Sequence, residues 1–228
     1  MRGSYGNLLI AVVAIMPCVA SSSSISTGTD TEEVNLLQLK LETEKRKGGK
    51  TNQTSALKRQ PPENLYGQPL IECDPSGYAA GSSNAYGQCD EKTGGIHSLC
   101  VSDLPADFSE VTGQGTWTED EAGKPWCVCI GAWSLYKAEG HTALAHCAAI
   151  PSFVLDKDYI DNWSTWNGNE LDDQIVDGIT ELYDQCSAQA QDDIQLANFK
   201  SYYCRIATQY VGKTKSFSET PEYTAAGC

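Results

Sequence analysis

Several familiar signatures are missing from this 228-residue sequence. It has no G-x-S-x-G nucleophile elbow, P-loop, dinucleotide-binding glycine fingerprint or H-E-x-x-H helix, which removes the motif-borne routes to acyl transfer, nucleotide hydrolysis, hydride transfer and metalloproteolysis. The Cys-x-x-Cys of thioredoxin-like redox sites and the D-x-D-x-D-G of calcium loops are absent as well. Positive charge is scarce: the formal net charge is -14, and from Gln60 onward 8 Lys and Arg face 25 Asp and Glu. A body that acidic repels phosphate backbones and anionic lipid, so neither nucleic acid nor a membrane surface is expected as a partner. Long apolar runs are lacking too. The longest, Leu8 to Met16, has nine residues, far short of the roughly 20 that span a bilayer.

What that run does offer is a leader. Arg2, the apolar stretch and Cys18-Val19-Ala20 ahead of a serine cluster read as a secretory signal peptide over residues 1–20. Residues 21–60 read as a disordered leader, a propeptide or a transit-like linker. They are hydroxyl-rich at the start, and Lys45, Arg46, Lys47, Lys50, Lys58 and Arg59 follow with no acid between them. Trimming at Lys45-Arg46 or Lys58-Arg59, the transit half of a bipartite plastid leader, and a plain solvated linker are the three readings of this segment. The expected location is secreted or an ER-routed lumen, with a plastid or thylakoid lumen as the alternative.

An oxidising compartment makes the cysteines interpretable. Without Cys18 there are nine: Cys73, Cys89, Cys100, Cys127, Cys129, Cys147, Cys186, Cys204 and Cys228. All are disulfide candidates, and the odd total leaves one over, for which the last residue, Cys228, is the simplest choice. A Cys186–Cys204 bridge is disfavoured. If Cys186 ends one helix and Cys204 lies well inside the next, about 20 Å separates them at 1.5 Å per residue, against the 7 Å or so that a disulfide spans.

Two zones follow the leader. Residues 61–168 are rich in Gly, Tyr and Cys, and Ile96 to Val101, Trp126 to Ile130 and Ala148 to Leu155 have the length of buried strands. Gly77 to Gly95 reads as a long loop pinned by Cys73 and Cys89, and Trp133 to Ala149 as a helix broken near Gly140. In residues 169–228, Leu171, Ile175, Ile179 and Leu182, then Leu196, Phe199, Tyr203, Ile206 and Tyr210, recur at helical spacing. Asn169 is the expected N-cap and Gly212 the expected stop. The expected fold is therefore α+β, a small disulfide-stapled cysteine-rich domain with a C-terminal pair of amphipathic helices.

Asn64-Leu65-Tyr66-Gly67-Gln68-Pro69-Leu70, Gly95-Ile96-His97-Ser98-Leu99-Cys100 and Trp126-Cys127-Val128-Cys129 with Trp133 stand in a telling order. Over residues 63–138 the chain resembles a small, widespread bacterial domain of unknown function with N-x-x-G-x-P-L, G-x-H-x-x-C and W-C-x-C-x-x-x-W segments. It departs from that pattern between Phe108 and Gly123, where Gly113-Gln114-Gly115-Thr116-Trp117 stands. The resemblance implies a compact domain and brings no activity, substrate or cofactor.

Cys127 and Cys129 admit three readings. In the structural one, a strand puts both thiols on one face, where they tie separate loops to the sheet. In the redox one they cycle between dithiol and disulfide, or one attacks with His97 as base. In the metal one, His97, Cys100, Cys127 and Cys129 form a Cys3His set suited to tetrahedral zinc. No cofactor is expected, and zinc is the alternative. His141 and His146, five apart, fall on different helix faces, and Asp156, Asp158, Asp172 and Asp173 read as solvated surface. Asn52 and Asn162 head glycosylation sequons, and use of the second would bring Trp163 and Trp166 to the surface. The leading functional expectation is a non-enzymatic, acidic binding or structural protein that docks a protein partner, as an accessory subunit of a larger complex. The competing one is a thiol- or metal-dependent enzyme centred on His97, Cys100, Cys127 and Cys129.

Overall fold

The computed structural model describes residues 62–74, 76, 83–90, 97–163, 165–166 and 169–228. The expected signal peptide, the 21–60 segment and the Asn52 sequon lie outside the described residues. Three antiparallel strands form the sheet, in the order β2 (Trp126–Cys129), β1 (His97–Asp103), β3 (Leu144–Ala145). Val101 faces Trp126, Cys100 faces Cys127 and Leu99 faces Val128, but His97 faces Cys129. Ser98 is thus the extra residue of a β-bulge that ends the regular pairing. Alternation sends Leu99, Val101, Trp126 and Val128 to one face and Cys100 and Cys127 to the other.

Helices supply most of the rest. After β1 come α1 (Phe108–Val111) and α2 (Ile130–Ala138), the latter starting directly out of β2. α3 (Lys157–Trp163) leads into the short hairpin β4 (Thr165–Trp166) and β5 (Asn169–Glu170), and then come α4 (Asp172–Gln189), α5 (Asp193–Gln209) and α6 (Pro221–Ala226). The fold is α+β and disulfide-stapled, with the two amphipathic C-terminal helices in place. α4 buries Ile175, Val176, Ile179, Leu182, Tyr183 and Cys186, and α5 buries Phe199, Tyr203 and Ile206. α5 also opens on a capping arrangement: the Asp192 side chain accepts from Gln195 N at 2.8 Å, while Gln195 Oε1 accepts from Gln191 N at 2.9 Å.

Residues 61–228 fall within one compact unit, and the helical segment shares the core of the cysteine-rich one. α2 crosses α4 closely. Trp133 Nε1 donates to Gly178 O at 3.1 Å, and a methyl group at Gly178 would meet the Ser134 Cα at 2.7 Å. Tyr66 donates its hydroxyl to Cys186 O at 2.8 Å and sets its ring edge-on to Phe199, 6.3 Å between centroids. Cys147 bonds Cys186, 39 residues on.

Four sequence expectations need correction. Ala148 to Leu155 is not a strand but two 3-10 turns, Cys147–Ala149 and Ser152–Leu155, joined at Pro151, whose pairing is limited to a single bridge with Asn64. Asn169 does not cap α4: its backbone pairs with Trp166 in the β4–β5 hairpin, and Leu171 occupies the cap position without a side-chain bond. The Trp133–Ala149 helix begins earlier and stops at Ala138, beyond which Gly140 at φ 86° lets the chain turn back towards β3. Cys228 is not left over but bonds Cys204.

Candidate functional site

The sheet face bearing Trp126 and Val128 is incompletely covered. α1 and a 3-10 turn at Trp117–Glu119 lean over it and leave a cleft of about 280 Å³, walled by Phe108, Trp117, Trp126 and Val128, with His97 and Gln114 as its polar sides. Phe108 and Val128 are buried, whereas the two half-buried indoles stand 5.2 Å apart at 42°. Trp117 is placed by its neighbour. Thr118 Oγ1 donates to Ala106 O at 2.7 Å and accepts from Ser109 N at 3.0 Å, while Ser109 Oγ accepts from Thr118 N at 3.1 Å. With the threonine proton already committed, the 2.8 Å contact between the hydroxyls has Ser109 as donor. Both side chains are fully buried, so this clamp fixes the turn that carries Trp117.

Behind the cleft, α1 is tied to α2. Tyr136 donates to Asp107 Oδ1 at 2.6 Å, and His141 Nδ1 lies 3.3 Å from Asp107 Oδ2 with its ring 4.8 Å from that of Tyr136. Burial first, then the Asp107 hydrogen bond and charge, push the Tyr136 phenol well above its usual range. Two larger depressions, about 440 and 400 Å³, flank α3 and α5. Their charged groups already serve one another: Lys157 pairs with Asp161, Arg205 with Asp156 at 2.5 Å, and Tyr210 donates to Asp172 Oδ1 at 3.2 Å. The smaller cleft is the most apolar of the three.

The sequence-predicted residues divide. His97, Cys127 and Cys129 all border the cleft. Cys100 bonds Cys73, Cys127 bonds Cys89, and Cys129 is disulfide-bonded too. Each sulfur of the Cys3His set is therefore bonded to another sulfur. The ligand atoms that do converge are the Sγ atoms of Cys73, Cys89 and Cys100, all within 4.8 Å of one another. His146 donates its backbone N–H to Cys100 O at 2.9 Å and His141 its own to Tyr136 O at 3.1 Å, both beyond the end of α2 at Ala138. Asp173 accepts from Thr214 and Lys215, and these bonds, from Thr214 first, hold its carboxyl below the usual range. Asn162 is exposed on α3.

One feature escaped the sequence reading although the letters carry it. Asn64-Leu65-Tyr66-Gly67-Gln68 recurs as Asn84-Ala85-Tyr86-Gly87-Gln88, and both copies make one turn. In each, the Asn side chain accepts from the Tyr and Gln backbone N–H groups at 2.8–3.0 Å, the Gly N–H returns to the Asn carbonyl at 3.0 Å, and the Gly sits at φ 71°. Tyr66 is 3% exposed and Tyr86 is 77% exposed. The same rigid turn thus places one tyrosine in the core and presents the other to solvent. Comparison with known proteins returned no matching family model, no matching curated protein and no matching solved structure.

Proposed function

We propose that the protein is an exported, non-catalytic docking module, an accessory subunit that binds another protein. The observation that carries this reading is the cleft under Trp117 and Trp126. It lies just below the range of about 300–1,000 Å³ that small-molecule sites occupy, which suits one aromatic or branched side chain of a partner. The four described disulfides and the lack of any described helix apolar enough to cross a membrane fit an extracellular or lumenal location. Tyr86 adds a second anchor: an aromatic ring held out on a rigid turn loses little entropy on binding and belongs to a residue type enriched at interface hot spots. A basic partner suits the acidic body.

The test is affinity capture from native extract with three chains: wild type, Trp117→Ala and Tyr86→Ala. A partner recovered by wild type and lost, at least tenfold, with Trp117→Ala supports the reading. Recovery of the monomer alone, or capture indifferent to both substitutions, overturns it.

A further inference from the structure

We propose that Cys73, Cys89, Cys100 and Cys127 are one thiol–disulfide exchange unit, not two independent staples. The strand register sets Cys100 opposite Cys127, with both side chains on the same face of the hairpin. Each bonds a different cysteine, Cys100 to Cys73 and Cys127 to Cys89, and a hydrogen bond from Cys73 N to Gly87 O, 2.9 Å, holds those two cysteines near one another. The Cys89 sulfur therefore lies within 4.8 Å of both sulfurs of the neighbouring disulfide. Among the described residues this is the one trio of sulfurs so closely grouped. All four cysteines are at most 1% exposed, so a thiol released here meets its neighbour before it meets solvent.

The chemistry balances without a further oxidant. A dithiol reductant opens Cys89–Cys127, becoming a disulfide itself and leaving two thiols. Cys89 gives up its proton and its thiolate attacks Cys73 Sγ; a Cys89–Cys73 bond forms, and Cys100 leaves as thiolate and takes up a proton. The Cys127 thiolate then attacks Cys89, restoring Cys89–Cys127 and releasing Cys73 as thiol. The net result is an oxidised dithiol and a reduced Cys73–Cys100 pair: electrons taken up at one bond are held at the other.

Cys127→Ser tests this in the full chain, because it leaves Cys89 with no native partner. After non-reducing alkylation and peptide mapping, the label is expected on Cys73 and Cys100 as well as Cys89, whose own share drops to roughly one third if three sulfurs exchange equally. An intact Cys147–Cys186 linkage reports the fold. Label confined to Cys89, with Cys73–Cys100 intact, overturns the proposal. The wild-type chain gives a second reading that needs no variant. Under substoichiometric dithiothreitol with acid quenching, Cys73–Cys89 or Cys89–Cys100 linkages are expected, and native linkages alone at every extent of reduction overturn it.

Discussion

At the scale of single residues, the cleft depends on a hydroxyl that lines none of it. Thr118 Oγ1 bonds Ala106 O, Ser109 N and Ser109 Oγ. Thr118→Val keeps the shape and removes all three bonds, leaving Ala106 O and Ser109 N without this partner inside the protein. The expected loss is about 1–3 kcal/mol for the stranded groups, read by denaturant unfolding. The near-UV circular dichroism that arises from the closely spaced Trp117 and Trp126 should weaken as well. Thr118→Ser keeps the bonds and should restore both signals; if Thr118→Val is silent in both, Trp117 is positioned by packing alone. Nothing in the letters announces this clamp, since Ser109 and Thr118 are nine apart and meet only once α1 has turned the chain. The paired N-x-Y-G-Q turns are the opposite case. Their identity is on the page, but which tyrosine is buried depends on Phe199 and Cys186, more than 100 positions away.

At the scale of elements, legibility follows periodicity. α4 and α5 declare themselves because their apolar residues recur every three or four positions over 18 and 17 residues. β1 and β2 were legible as short apolar runs ending in turn residues. Ala148 to Leu155 misleads for the same reason, since a run of that length has no period to decide it, and Asn169 misleads because a hairpin engages its backbone. The α2–α4 crossing was not legible at all, although Gly178 sets it. There the two helices approach so closely that an added methyl group meets the Ser134 backbone and Oγ, while that same Oγ is buried without a hydrogen-bond partner. Gly178→Ala should therefore force the helices apart and cost about 1–3 kcal/mol, despite the gain in helix propensity of roughly 1 kcal/mol. Ser134→Ala removes only an unsatisfied hydroxyl and should be neutral or mildly stabilising. Thermal melts of the two variants check both signs, and a stabilised Gly178→Ala would show that the crossing is looser than drawn.

At the scale of the whole molecule, covalent links and buried phenols hold the layers together. The four described disulfides span 24 to 39 residues, which in the chain-entropy account is about 3.5–4 kcal/mol each; the sequence showed that cysteines would pair but not which, because pairing is a property of the finished core. Tyr66 and Tyr203 have phenols pushed up to about 12 by burial. Tyr210 is raised in the same direction by burial and by Asp172, as Tyr136 is by burial and Asp107. Below the ordinary tyrosine value, near 10, folded and unfolded chains are equally protonated and stability is complete. Above it the unfolded chain releases protons that the folded chain retains, so each such phenol removes about 1.4 kcal/mol of stability per pH unit until its folded value is reached. The expected outcome is a melting temperature that is steady from pH 7 to 9 and falls steeply between about pH 10 and 12. The phenolate absorbance of these four buried rings should rise together with unfolding, not ahead of it. A chain already at -14 gains further repulsion from every phenolate, which steepens the fall. A melting temperature unchanged through pH 11 would mean that these four rings already titrate in the folded protein, and that the core drawn around Tyr66 and Tyr203 is open to water.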